Sequence, residues 1–330
     1  MNTRRKLIIA FGAGALTAPF ASFAQQQGKI WRVGFLSQRA RPDSLDSGAI
    51  SELRRGMREL GYVEGKNLNI EWRFADGKAE RLPGLAAELA QMKVGIIVAV
   101  GSLATSAAQR ATTTIPIVMV SVSDPVGIGL VKSLARPGGN ITGLSDLLGD
   151  ISSKHLELLL GMVPKLTRVA VMVNPVNGSN ATILKNIQVA AQRTAVKILP
   201  VEIERSQNIE KAFSLMIKDK VGAVIVASDG LFFQQASQIA KLAAKNRLPT
   251  ISWVREYVEA GGLMSYGANI TDLYWRSATY VDKIFKGAEP GDLPVEQPTK
   301  FELVINGKTA KALGLNIPQS LLVMTDKVIE

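Results

Sequence analysis

The sequence predicts an α/β protein of two similar lobes, each a parallel sheet covered by helices. Apolar strand-like runs alternate with amphipathic helical stretches, and the strand-like runs of the first half recur in the same order in the second half. The chain has 330 residues and is 47% hydrophobic, which suits two domains of ordinary size. Alternating strands and helices favour parallel sheets with helices on both faces.

The first 24 residues predict a cleaved signal peptide. Residues 4–6 are basic, residues 7–18 are apolar, and small residues precede a cleavage site after Ala24. The apolar run is shorter than the roughly 20 residues of a spanning helix. We therefore expect a periplasmic protein, by either the general or the twin-arginine export route. Because the sequence has no cysteine, we expect no lipid anchor and no disulfide.

Residues 31 to 120 contain the strand and helix patterns that predict the first lobe. "WRVGFLS" (31–37) is typical of a buried strand, and the apolar residues that follow at helical spacing predict a helix that stops at Gly61. "NLNIEWRF" alternates like a strand and "ERLPGLAAELAQM" has the pattern of a helix. "VGIIVAV" and "TIPIVMV" are continuous apolar runs that predict two further buried strands.

The second lobe repeats this order. "RVAVMVN" (168–174), "VGAVIVASD" (221–229) and "RLPTIS" (247–252) correspond to the first, third and fourth strands of the first lobe. The chain crosses between lobes near 142–150, and the segments at 262–270 and 289–299 predict further crossings. We expect residues 25–145 with 268–295 in lobe 1, and 146–267 with 296–330 in lobe 2. Several crossings indicate a hinge beside a cleft.

Ligands of open α/β sheets lie beyond the carboxyl ends of the strands, where helix N-termini present free N–H groups. Polar residues of kinds that fix a small polar ligand recur there in both halves, with Gln38 and Ser121 beside them, although such residues also cap helices and form turns. Two aromatic rings that could pack on a ligand complete the set. The candidate ligand-binding residues are Ser37, Gly101, Ser102, Ser123, Asp124, Asn174, Ser179, Asn180, Ser228, Asp229, Trp253 and Tyr266.

The stretch "SVSDPVGIGLV" (121–131) is interpreted as a strand end followed by a helix start. Ser123 and the helix N–H groups would then bind an anionic or carbonyl group, while Asp124 would either cap the helix or meet an ammonium group. The glycine pair fits neither the dinucleotide pattern nor the phosphate-binding loop. We expect no nucleotide here.

Other chemistries lack the residues they need. The one histidine, His155, shares a helix face with apolar residues and is interpreted as structural, so we expect no histidine-dependent triad and no metal site. We expect no cofactor. Asp124 and Asp229 leave acid–base catalysis as an alternative. The net charge is +11, but the basic residues are scattered, so we expect no nucleic-acid partner.

Three long stretches carry a family resemblance: "ELGYVEGKNLNIEWRFADGKAERLPGLAAELA", "SDPVGIGLVKSLARPGGNITGLS" and "LPVEQPTKFELVINGKTAKALGLNIPQSLL". They resemble the ABC-transporter substrate-binding protein family that includes tryptophan- and tyrosine-binding receptors, in the expected order over about residues 30–330. One departure is Gly307, where relatives are expected to have an apolar residue.

The resemblance implies a type I periplasmic-binding-protein fold, with two Rossmann-like lobes joined by a multi-stranded hinge and a small-molecule ligand between them. It implies delivery to an ABC permease of the inner membrane with its ATPase, and a monomer without enzymatic activity. A small polar ligand is expected, with amino acids, aromatic ones included, as candidates. An exported sensory receptor and an exported enzyme on the same scaffold are the alternatives.

Overall fold

The computed structural model describes residues 30–330, so the expected signal peptide and its cleavage after Ala24 lie outside the described residues. Two sheets organise this part of the chain, and we use lobe 1 for the five-stranded sheet with its helices and lobe 2 for the seven-stranded one. Within residues 30–330, no helix has the length and apolar character needed to cross a membrane.

The first sheet and its helices are formed by the N-terminal part of the described chain. In chain order its elements are β1 (Trp31–Ser37), α1 (Gly48–Glu59), β2 (Leu68–Phe74), a 3-10 turn (Ala79–Arg81), α2 (Leu82–Gln91), β3 (Ile96–Val100), α3 (Ser102–Ala111), β4 (Ile117–Val122) and β5 (Ile141–Ser145). The strands are all parallel in the order β2-β1-β3-β4-β5. Every residue of β3 and β4 is buried, as expected for strands covered on both faces.

The remaining elements form the second sheet, apart from one long helix. They are α4 (Leu148–Met162), β6 (Arg168–Val173), α5 (Gly178–Ala191), β7 (Lys197–Glu202), a 3-10 turn (Ser206–Asn208), α6 (Ile209–Lys218), β8 (Ala223–Val226), α7 (Gly230–Gln234), α8 (Ala236–Lys245), β9 (Thr250–Ser252), α9 (Arg255–Glu259), β10 (Met264–Ala268), α10 (Ile270–Phe285), a 3-10 turn (Pro290–Asp292), β11 (Phe301–Asn306), α11 (Gly307–Ala312), α12 (Gln319–Met324) and β12 (Lys327–Ile329).

The strand order of the second sheet is β12-β11-β10-β9-β8-β6-β7, parallel except for β10 and β11, which pair antiparallel. The antiparallel pair departs from the expected parallel sheet for a topological reason. The chain leaves lobe 2 at the carboxyl end of β10, packs α10 against α1 and against β4 and β5, and returns at the same end of the sheet. Strand β11 therefore starts where β10 ends and runs the opposite way.

Three segments cross between the lobes: those linking β5 to α4, β10 to α10, and the 3-10 turn at 290–292 to β11. The first and third lie side by side, because the Ser145 N–H donates to the Glu296 carbonyl (3.0 Å) and the Glu296 N–H donates to the Gly143 carbonyl (2.9 Å). One apolar cluster includes buried residues of both lobes, and each lobe has a further cluster of its own. The crossings are therefore built on a shared core.

The prediction of a helix after Ser123 is wrong. Residues 123–140 contain turns and bends and no helix, and the Asp124 carboxylate accepts the Gly127 N–H (2.8 Å), which closes the first turn. The physical reason is composition: Pro125 and Pro137 each lack a backbone donor, and four glycines in the same segment favour turns over a helix.

The structure also shows the surroundings of His155 and Gly307, which the sequence analysis singled out. His155 lies on α4 with 3% of its surface exposed, and its Nε2 is 2.6 Å from the Tyr266 carbonyl oxygen. Burial lowers the pKa of His155 to about 4, which fits a structural histidine. Gly307 is the first residue of α11, after the Asn306 side chain that accepts the Thr309 N–H (2.9 Å).

Candidate functional site

A narrow cavity of about 30 Å³ lies between the carboxyl ends of the two sheets. Six of the twelve candidate residues line it, three from each lobe: Ser37, Gly101, Ser102, Ser228, Asp229 and Trp253. They come together because the carboxyl ends of parallel strands face the cleft in both lobes. The other lining residues are Gln38, Arg39, Val100, Leu103, Ser121, Asn177 and Gly230.

The lobe 1 wall is centred on the start of α3. Gly101 ends the loop after β3 with a φ of +82°, a conformation that favours glycine, and helix α3 begins at the next residue, Ser102. The first N–H groups of a helix have no partner within the helix and attract negative charge. This wall can therefore bind an anionic group, and it contains two of the candidate residues, Gly101 and Ser102.

The lobe 2 wall is organised by the carboxylate of Asp229. This residue caps α7 by accepting the Leu231 N–H (2.8 Å), and it also accepts the Asn174 Nδ2 (3.2 Å) and the Asn177 Nδ2 (2.8 Å). Only 3% of its surface is exposed, and burial raises the pKa of Asp229. The three hydrogen bonds offset part of the cost of burying a carboxylate beside the cleft.

Asn174 and Asn180 support this wall from behind. The Asn180 Oδ1 accepts the Asn174 N–H (2.8 Å), and the Asn180 Nδ2 donates to the Ser228 carbonyl (2.8 Å). Neither amide lines the cavity, whereas Asn177 does. The structure thus places Asn174 and Asn180 as supports of the candidate site and puts Asn177 in the position of direct contact.

Hydroxyl groups join the two lobes across the cleft. The Oγ atoms of Ser102 and Ser179 are 2.8 Å apart, and both residues are buried. Nearby, the Thr182 Oγ1 on α5 donates to the Asp124 Oδ2 (2.6 Å). Both Asp124 oxygens are thus engaged, and Asp124 lines neither this cavity nor the larger one described below. Asp124 and Ser179 act here as contacts between lobes.

A second pair of contacts closes the opposite side of the cleft. The Ala40 N–H donates to the Gln234 Oε1 (3.0 Å), and the Arg39 guanidinium carbon lies 3.4 Å from the centre of the Phe233 ring. An arginine over an aromatic face is held by the ring quadrupole. With contacts on both sides, the two lobes are closed against each other.

Ser123 faces the hinge and not the cavity. Its hydroxyl joins that of Ser121, which donates to the Asp146 Oδ2 (2.8 Å), in binding the buried Asp146 carboxylate. The Leu148 N–H donates to the other Asp146 oxygen (3.1 Å), and burial raises the pKa of Asp146. This carboxylate lies in the first crossing segment, so Ser121 and Ser123 tie the end of β4 to the hinge.

The two candidate aromatic residues have different positions. Trp253 follows β9, is 5% exposed and lines the cavity. Tyr266 lies within β10, where its ring is 5.8 Å from that of Phe301 and 6.2 Å from that of His155. Because side chains alternate along a strand, Tyr266 points to the face opposite Ser265 and Gly267. The structure does not bring Tyr266 to the cleft.

A larger cavity, of about 250 Å³, lies on the other side of Trp253. Its lining comes from the start of α1, the residue after β9, α9, β10, the start of α10 and β11: Gly48, Trp253, Arg255, Glu256, Glu259, Ser265, Gly267, Ala268, Asn269, Ile270, Thr271 and Glu302. Of these residues, the sequence analysis had named only Trp253, and it did not predict this cavity. Sequence reasoning also missed Arg39, Asn177 and Gly230. Arg39 lies two residues past Ser37, close enough for the strand-end rule to have reached it.

Among residues 30–330, the acidic and histidine side chains form no group of three that could hold a metal ion. The polar groups of both cavities are hydroxyls, amides, carboxylates and guanidinium groups. Such groups bind a small polar molecule through hydrogen bonds and charge.

Comparison with known proteins agrees with this geometry. Residues 38–329 match the family model described as ABC transporter substrate binding protein. A tyrosine-binding protein of Clostridioides difficile (strain R20291) is 29% identical over 280 residues, which cover 85% of this chain and 80% of that protein.

Two solved structures are informative about shape. The ABC domain from Streptococcus pneumonia in complex with L-Trp is 25% identical with a TM-score of 0.83, over 91% of this chain and 100% of that one. A ligand-free, open substrate-binding protein with adhesive properties from Clostridium difficile is 27% identical with a TM-score of 0.64, over 91% of this chain and 99% of that one. Periplasmic binding proteins of lower identity share the fold, which confirms the expected type I architecture.

Proposed function

Because the chain belongs to the ABC transporter substrate-binding protein family, we propose that it is an extracytoplasmic receptor of an ABC importer that captures an amino acid between its lobes by hinge closure. The observation that carries the proposal is the narrow cavity, whose polar walls come from both lobes and meet only when the lobes are closed. A ligand that bridges the walls stabilises the closed form by its differential affinity for that form.

An amino acid suits the two walls of the narrow cavity. Its carboxylate would meet the N–H groups at the start of α3, with Ser102 and Arg39 beside them. Its ammonium group would meet the Asp229 carboxylate, which retains further acceptor positions. Trp253 would pack on the side chain. The tyrosine-binding relative and the L-Trp complex support this class of ligand.

The shape comparison supports closure of the lobes on ligand. This chain superposes better on the L-Trp complex than on the ligand-free, open protein, although its sequence identity to the second is slightly higher. The difference between the two TM-scores is therefore better explained by the arrangement of the lobes than by sequence similarity. The three crossing segments are the expected hinge.

The remaining expectations form part of the proposal. Residues 25–145 with 268–295 would move as lobe 1, and 146–267 with 296–330 as lobe 2. Export with cleavage after Ala24 would place a monomer in the periplasm, where the closed lobes would be recognised by an inner-membrane permease with its ATPase. Neither cavity is proposed to perform catalysis.

Isothermal titration of residues 25–330 with each common L-amino acid tests the proposal. We expect stoichiometric binding without turnover of at least one amino acid, weakened about tenfold or more by Arg39→Ala, because a hydrogen bond to a charged group is lost. Arg110→Ala is the control, since this exposed arginine lies at the far end of α3. Binding of none of them, or binding with turnover of the ligand, would overturn the proposal.

A further inference from the structure

The larger cavity, which we call the acidic chamber, adjoins the proposed ligand site. Its residues are those given above, its volume is about 250 Å³, and it shares Trp253 with the narrow cavity. The volume approaches the lower end of the size range for small-molecule sites. The chamber therefore has space for one end of a ligand whose other end lies in the narrow cavity.

The floor of the acidic chamber is made by strands β10 and β11. Ser265 and Gly267 lie on one face of β10, and Gly267 pairs with Glu302 on β11, which places all three on that face. Gly267 has no side chain, and the backbone of Trp253 packs closely against it on this face. A side chain at position 267 would overlap the Trp253 carbonyl oxygen.

Two carboxylates of the chamber have unused acceptor capacity. Glu256 forms no side-chain hydrogen bond or ion pair with any residue between 30 and 330. Glu302 accepts one hydrogen bond, from the Asn269 Nδ2 (2.7 Å). By contrast, the Arg255 Nε donates to the Glu259 Oε1 (2.7 Å), so these two opposite charges offset each other. The chamber therefore carries a net negative charge.

A serine hydroxyl that opens onto the chamber gives an independent indication of a ligand. Ser265 lines the chamber with 2% of its surface exposed, and its hydroxyl has no hydrogen-bond partner in the described part of the chain. No buried side-chain nitrogen or oxygen atom in the described residues lacks a hydrogen-bond partner, so the unpartnered Ser265 oxygen is open to the chamber, where a ligand can reach it. A ligand group that donates to the Ser265 oxygen would satisfy it.

Tyr274 is a buried residue that feels charges from both cavities. Its ring is buried on α10, and its pKa is raised first by burial, with further opposite effects from the Arg39 and Glu256 charges. Arg39 lines the narrow cavity and Glu256 lines the acidic chamber. The charges that line the two cavities therefore act on the same buried residue, which shows that the cavities lie close to each other.

We propose that the acidic chamber receives a positively charged, hydrogen-bond-donating end of the ligand, namely a primary ammonium or guanidinium group. Glu256, Glu302 and Ser265 would accept its hydrogen bonds, and the Trp253 ring would flank it. The inference rests on the proposed interlobe site and adds the ligand class, a basic amino acid. A hydrocarbon or uncharged aromatic end would leave the carboxylates and the hydroxyl without partners.

Titration with a matched pair of ligands tests the chamber. L-lysine and L-norleucine share the same backbone groups and nearly the same chain, but only L-lysine ends in an ammonium group. We expect L-lysine or L-arginine to bind at least about tenfold more tightly than L-norleucine. Glu256→Gln and Glu302→Gln should each reduce that preference. Glu157→Gln, which removes an exposed carboxylate on α4, is the control and should keep it.

The outcomes separate this inference from the proposed function. If amino acids bind in a way that depends on Arg39 but show no preference for L-lysine over L-norleucine, or a preference that survives both glutamine variants, the chamber proposal is wrong and the interlobe site stands. If no amino acid binds but 1,5-diaminopentane binds and requires Glu256, the chamber stands and the amino-acid proposal fails. If none of these probes binds, both are overturned.

Discussion

The hydrogen bond from Thr182 to Asp124 offers a test of closure that leaves both cavities intact. Thr182→Val keeps the shape of the side chain and removes the donor to the Asp124 Oδ2 (2.6 Å). A hydrogen bond to a charged group contributes about 1.5–3 kcal/mol when it is desolvated. Both residues are half-buried, so solvent screening reduces the expected value to about 1 kcal/mol.

This loss acts on the closed form alone, because the two residues belong to different lobes. About 1 kcal/mol lowers the ratio of closed to open protein about fivefold. If the ligand is held only by the closed form, its apparent affinity falls by up to the same factor. The temperature of unfolding should change little, since neither lobe loses a contact within its own core.

Titration calorimetry with the amino acid that binds most tightly in the titrations proposed above measures the affinity, and small-angle X-ray scattering measures the opening of the lobes. Thr113→Val is the matched control, because this exposed threonine makes no side-chain hydrogen bond with another described residue. An affinity and a scattering profile that match those of the unchanged protein would show that the contact does not hold the lobes together.

Two further predictions concern stability. Gly267→Ala should lower the free energy of unfolding by about 1–3 kcal/mol, because its Cβ overlaps the Trp253 carbonyl oxygen, whereas Gly84→Ala on α2, with open space around it, should raise it by about 0.5–1 kcal/mol. Urea unfolding measures both, and equal effects would contradict the steric argument. The pKa of His155 is about 4 in the folded protein against 6.5 in the unfolded chain. Protonation of His155 therefore favours the unfolded chain, and the free energy of unfolding should fall as the pH drops from 6.5 towards 4. Over this pH range, the free energy of unfolding of the unchanged protein should fall by up to about 3 kcal/mol more than that of His155→Gln. If the two proteins lose stability in parallel as the pH falls, the lowered pKa of His155 is wrong.

The sequence predicts the order of strands and helices well because that order depends on local periodicity. The continuous apolar run at 94–100 contains β3, and the run at 114–120 contains the first four residues of β4; all residues of both strands are buried. The same rule brings Gly101 and Ser102 to the cleft, because a residue after a parallel strand must lie at the carboxyl edge. The sequence alone therefore predicts where a residue lies relative to the strand that precedes it.

The direction of a side chain beyond a strand end is less accessible. Ser123 and Asp124 were expected at a helix start, but prolines and glycines make the segment a series of turns, and both side chains bind groups at the hinge or in the other lobe. Tyr266 has the residue type of a ligand contact, yet the alternation along β10 turns it towards His155. The apolar pattern of β10 does not distinguish its two faces.

The acidic chamber shows where sequence reasoning stops for a topological reason. Ser265 and Glu302 share a face only because the chain passes through lobe 1 between β10 and β11 and returns antiparallel, with Gly267 opposite Glu302. A parallel return would change the register and, with it, the residue that faces Ser265. The direction of β11 depends on which end of the sheet α10 leaves, and α10 packs against α1 of the other lobe. The chemistry of the chamber is therefore set by a contact between lobes, which no window of the sequence contains.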